Sequence, residues 1–186
     1  MTETKEIYKS EKEYLPYVIF VMKKAKDSRK EGSIMIGEDE YYIDVEREMI
    51  RITEYGHESY TAALTFDHVD ILFNQAGFNE EIPLVPLKDT MIIIYMEVPT
   101  GITKEGITKA GKLARFLPEF FESHPFQGYV KAVSEELKEE YKPGDVVFIN
   151  EGLWESDLSS RGCRIIKFNG KTYHYIYRLQ AIAKVK

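Results

Sequence analysis

Apolar residues along the chain fall into groups of four to eight separated by polar punctuation, the spacing of strands rather than long helices. After Gly32, "SIMI", "YYIDV" and "IRITEY" form three extended runs divided by "GEDE" and "EREM". Tyr41, Ile43 and Val45 alternate in the second run and Ile50 and Ile52 in the third, which predicts a small antiparallel meander with one buried face. Residues 14–30 are mixed. Tyr14, Val18, Val21, Met22 and Ala25 recur at helical spacing, but Pro16 and the β-branched run "YVIFVM" favour extended chain, and a strand over 17–22 is the reading adopted. In "TFDHVDILFNQAGF", Val69, Leu72, Phe73 and Ala76 share a helical face, Asp67 can cap and Gly77 can end the element left-handed, so a short helix is expected near 68–76.

Pro83 and Pro86 in "NEEIPLVPLKD" exclude regular structure and mark a domain boundary, giving an N-terminal β-rich domain over 1–82 and a second domain over 83–186. The second reads as strands throughout: "MIIIYMEV", "QGYVKAV", "GDVVFIN", "CRIIKFN", "KTYHYIY" and "AIAKV". Between the first two lies a long excursion, 99–126, in which Leu113, Phe116, Leu117 and Phe120 stand at the spacing of a helical turn. Gly128 permits close backbone approach, Asp89 can turn the chain into a strand, and Pro143, Gly144 and Asp145 build the turn before 146–149. The expected fold class is therefore mainly β, a β-rich α+β chain.

Composition narrows the function classes. With 25 basic and 31 acidic residues the net charge is −6, which disfavours nucleic acid as main partner, and the basic "KKAKDSRK" at 23–30 lacks aromatic interleaving. The single cysteine, Cys163, allows no intrachain disulfide and fits a reducing compartment; the polar first residues show no signal pattern, and no apolar run reaches the roughly 20 residues of a membrane span. His57, His68, His124 and His174 are scattered without ligand spacing, and Cys163 has no base nameable from sequence. No catalytic residue, metal ligand or cofactor is expected, and the chain is read as a non-enzyme.

"PLKDTMIIIYMEV" at 86–98, "GI" at 106–107, "QGYVKAV" at 127–133, "KPGDVVFINEG" at 142–152 and "KTYHYIYRLQAIAKV" at 171–185, in that order, resemble the small co-chaperonin (GroES-like) family over about the last 100 residues. The resemblance implies a partly open β-barrel whose first and last strands pair with neighbouring subunits of a ring, here the strands carrying Met91, Ile93 and Tyr95 and carrying Ile182 and Val185. It also implies a docking loop with an apolar tripeptide. At that place the sequence reads Gly106-Ile107-Thr108-Lys109, two polar residues replacing aliphatic ones; further along, Phe116, Leu117, Phe120 and Phe121 offer either an exposed apolar anchor or packing of the loop on its own barrel.

The expected function is a non-enzymatic structural or assembly protein, a GroES-like barrel serving as subunit of a larger symmetric particle of the virion or capsid-associated kind, of phage type. The alternative is a working co-chaperonin, cellular or phage-encoded, that caps a chaperonin. Expected partners are copies of itself, other subunits of a large assembly, or a chaperonin, with no nucleic acid and no membrane, in a virion or the host cytoplasm.

Overall fold

The computed structural model describes residues 14–99, 126–149 and 164–185; of these, 14–73 with Pro99 form one compact unit, and 74–98, 126–149 and 164–185 form a second. The fold is mainly β, with two antiparallel sheets and two α-helices among the described residues.

The first unit opens with α1 (Pro16–Ser28), where a strand over 17–22 was expected. Pro16 occupies the first turn, where its missing N–H costs nothing, so it starts a helix rather than breaking one. Val18, Ile19, Met22 and Ala25 are then buried along one stripe, and that stripe outweighs the β preference of the branched residues. Arg29 closes the helix in the left-handed region at φ 46°.

A four-stranded meander follows in the order β1 (Gly32–Ile36), β2 (Asp39–Asp44), β3 (Met49–Thr53) and β4 (Ala62–Thr65). "AALT" is thus a fourth strand beyond the three runs expected. The β1–β2 turn is two residues, Gly37 and Glu38, with Gly37 at φ 61°. Tyr41, Ile43, Ile50 and Ile52 are buried as their alternation predicts; Val45 lies just past the end of β2 and is half-buried. Helix α2 (Phe66–Gln75) is capped by the Thr65 hydroxyl, which accepts from the His68 N–H at 3.2 Å, while Asp67 sits in the first turn where a negative charge is favoured. Gly77 follows at φ 87°. Within this unit α1 is tied to α2 by Lys23 and Lys26, both paired with Asp70.

The second unit is one six-stranded antiparallel sheet of order β10-β7-β6-β5-β9-β8, from β5 (Thr90–Glu97), β6 (Phe126–Val133), β7 (Val146–Ile149), β8 (Arg164–Phe168), β9 (Lys171–Tyr177) and β10 (Ala181–Lys184). Its outer strands β8 and β10 do not pair with each other, so the sheet is not a closed barrel. Met91, Ile93, Val130, Val147, Ile149 and Ile176 form its core, all fully buried. The turn before β7 is built as its sequence suggests: Gly144 takes φ 95°, the Asp145 carboxylate accepts from the Lys142 N–H at 3.0 Å, and the Asp145 carbonyl accepts from the Val130 N–H at 2.8 Å. In β6 the residue Lys131 is an extra position opposite Ile92 and Ile93, a β-bulge.

Candidate functional site

The two strands expected to pair with neighbouring subunits lie differently in the sheet, β5 inside it and β10 at its edge. β5 is interior, paired with β9 through Thr90–Ile93 and with β6 through Met91–Glu97, so Met91 and Ile93 are fully buried with both ladder edges filled within the chain. Tyr95 is half-buried, stacked on Phe126 at 5.9 Å and tilted against His174 at 5.5 Å; burial holds the His174 imidazole below its usual pKa. The last strand is an edge. Among the described residues β10 pairs only with β7, and Ile182 and Val185 are exposed there. Ile107, Phe116, Leu117, Phe120 and Phe121, together with His124 and Cys163, lie outside the described residues.

Most of the large apolar side chains left exposed in the second unit lie in two stretches, Leu84, Val85 and Leu87 before β5, and Tyr177, Leu179, Ile182 and Val185 around β10. Val85, Leu87 and Leu179 are the most open, at 83%, 76% and 80%. The two stretches are joined by a backbone hydrogen bond from the Arg178 N–H to the Asp89 carbonyl at 2.8 Å, and within the first the Thr90 hydroxyl donates to the Leu87 carbonyl. Leu87 and Leu179 therefore stand on turns bonded to each other. Edge β10 is itself blunted, because it is four residues long, has an irregularity at Ile182, and carries Lys184, which donates to the Glu140 carbonyl at 2.8 Å and pairs with Asp145 at 3.3 Å. What is offered outward is chiefly side-chain surface.

The sequence reading missed a polar cluster on the same unit. Glu80 is reached by three donors from the β8–β9 hairpin: Tyr173 Oη at 2.7 Å, Asn169 Nδ2 at 2.8 Å and Lys171 Nζ at 2.9 Å. The Tyr173 hydroxyl, then Asn169 and Lys171, hold the Glu80 carboxyl at about 2, well below its ordinary value of 4.5. Burial first, and Glu80 second, push the Tyr173 hydroxyl up. Beside it, Phe78 is buried edge-on against Tyr129 at 4.9 Å, and Lys131 at the bulge donates to the Phe78 carbonyl. The one available signal was the Asn169-Gly170 pair, a two-residue hairpin turn at φ 48° and 74° that fixes which side chains of 169–173 share a face.

In the meander unit, Asp44 is buried and gathers Arg47 and Arg51; burial alone would raise its pKa, but the Arg47 backbone and side chain and the Arg51 guanidinium more than offset this and lower it. Arg51 also lies over the Tyr60 ring at 5.0 Å. Among the described residues no group of three His, Cys, Asp or Glu is placed to hold a metal, and no helix is long and apolar enough to cross a membrane. Comparison with protein-family models and with curated proteins returns no match to this chain.

Proposed function

We propose that the chain is a non-enzymatic assembly subunit, a GroES-like domain carrying an N-terminal meander domain, which joins copies of itself or other subunits into a larger symmetric particle of the virion or capsid-associated kind. The carrying observation is the exposed apolar surface formed by Leu84, Val85 and Leu87 beside Leu179, Ile182 and Val185, flanking the free edge β10. A run of open aliphatic side chains on two mutually bonded turns costs solubility in a free monomer and is stabilised by burial against a partner. Because β5 is interior, the join falls to the segment before it, 84–87, together with β10.

The order of the family-like fragments supports the GroES-like reading: 86–98, 127–133, 142–152 and 171–185 supply β5, β6, the turn before β7, and β9 with β10. The same order favours the second reading, a co-chaperonin, whose docking loop would be 99–126. Sedimentation of the full chain over a wide concentration range separates the two. The assembly reading expects a defined oligomer without added partner. A co-chaperonin additionally co-sediments with a chaperonin and changes its ATPase rate. A chain that stays monomeric and binds no chaperonin contradicts both.

A further inference from the structure

We propose that Asn169 is a modification site, whose side-chain amide is displaced spontaneously by the Gly170 backbone nitrogen, and that Glu80 holds this reaction back in the folded chain. The acid that forms unfastens the β8–β9 hairpin from Glu80. None of this rests on the assembly reading.

Asn169-Gly170 is the one Asn-Gly pair in the sequence; Asn74, Asn79 and Asn150 are followed by Gln75, Glu80 and Glu151. Asparagine is a thermolabile residue, and a following glycine shields its backbone nitrogen least, having no β-carbon. The pair forms the two-residue turn of the hairpin, closed by Phe168 opposite Lys171, so the Gly170 N–H lies outside the strand ladder. Both residues are exposed, and a β-carbon built on Gly170 would meet nothing within 4 Å, so the turn is open to water. Water is the only co-reactant. The Gly170 nitrogen bonds to Asn169 Cγ, its proton passes through water to Nδ2, the Cγ–Nδ2 bond breaks, and ammonia leaves a cyclic imide. A second water opens the ring at either carbonyl, giving aspartate, or isoaspartate with an extra methylene in the backbone.

One contact opposes this. Asn169 Nδ2, the nitrogen that must leave, donates to Glu80 Oε1 at 2.8 Å. The Glu80 carboxyl is ionised at neutral pH, and its other oxygen is fixed by Tyr173 Oη at 2.7 Å and Lys171 Nζ at 2.9 Å. The acceptor is therefore anchored, and swinging Cγ onto the Gly170 nitrogen breaks a charge-assisted bond, which adds to the barrier. Once the amide is gone the same place holds a carboxylate. A donor to Glu80 has become a second anion beside it, and like charges so placed repel. Isoaspartate also lengthens the backbone of a turn that admits only two residues.

The test incubates full-length wild type, Glu80→Ala and Lys171→Met at neutral pH and follows amide-to-acid conversion by peptide mass mapping. In Glu80→Ala, Asn169 is expected to convert ahead of Asn74, Asn79 and Asn150, and about ten-fold faster than in wild type, as loss of a hydrogen bond to a charged group implies. Lys171→Met loosens the same cluster but leaves Asn169 on Glu80, so its rate stays that of wild type. Asn169→Asp, which keeps a turn-forming Asp-Gly pair, is expected to exchange its amide hydrogens faster across 168–173 than wild type, with β5 unchanged. Conversion at Asn169 no faster than at the other asparagines in Glu80→Ala overturns the site. Equal rates in Glu80→Ala and Lys171→Met overturn the guarding role of Glu80. Unchanged exchange across 168–173 in Asn169→Asp overturns the unfastening.

Discussion

At Gly128 a β-carbon would sit 2.6 Å from Ile93 Cδ1 and 3.3 Å from Ile149 Cδ1, and both isoleucines are fully buried in the core. Neither can swing aside into solvent, so Gly128→Ala overpacks the sheet, and chemical denaturation should register a loss of about 1–3 kcal/mol. Glu80 makes a different demand, on pH. Its carboxyl is held at about 2 against an ordinary 4.5, facing Tyr173, Asn169 and Lys171, with Lys131 nearby. A depressed folded-state value means the stabilisation is complete above 4.5 and is lost as pH falls through the interval toward 2. Thermal unfolding of Glu80→Gln should therefore lie below wild type at neutral pH, with the gap closing below pH 4.5; a gap independent of pH would contradict the ionised contact. At this scale the sequence was readable where a residue acts on its neighbours. Gly128, Gly144 and Asp145 each do what their local context suggests. Glu80 and Tyr173 were not readable, because nothing local pairs positions separated by 93 residues.

Elements were legible where one period dominated. Each strand of the second unit came from an apolar run bounded by turn residues, and the two-proline stretch before β5 carries no regular structure. Helix α1 is hidden in the sequence because its β-branched content masks the helical spacing, and because Pro16 stands where a proline begins a helix rather than breaking one. Its burial makes the correction testable. Met22 is 1% exposed, so Met22→Ala should cost about 2–5 kcal/mol by denaturation, whereas a residue in a frayed segment would cost little. The cap of α2 is Thr65, two residues before the expected Asp67, since either residue type caps and only coordinates show which oxygen meets the His68 N–H. Thr65→Ala should remove about 1 kcal/mol, read as a lower denaturation midpoint, with Asp67→Ala costing less.

Across the whole molecule the surface matters more than the core. The expectation of a subunit completed by neighbours came from a resemblance, and it placed one joining ribbon at β5, which the sheet instead encloses between β6 and β9. Strand order could not be read from the sequence, because all the strands are apolar and antiparallel pairing admits many orders. The assembly proposal assigns that role instead to the exposed aliphatic residues before β5 and around β10, with β8 at the opposite edge of the sheet. Leu179, 80% exposed, buries little within its own chain, so its replacement should change stability by less than about 0.5 kcal/mol. The most direct test is native mass spectrometry of the full-length chain beside its Leu179→Asp variant. The assembly account predicts a closed oligomer of defined copy number for the wild type and, for the folded variant, association weakened at least ten-fold. Two equally monomeric proteins, or two equally oligomeric ones, would contradict it.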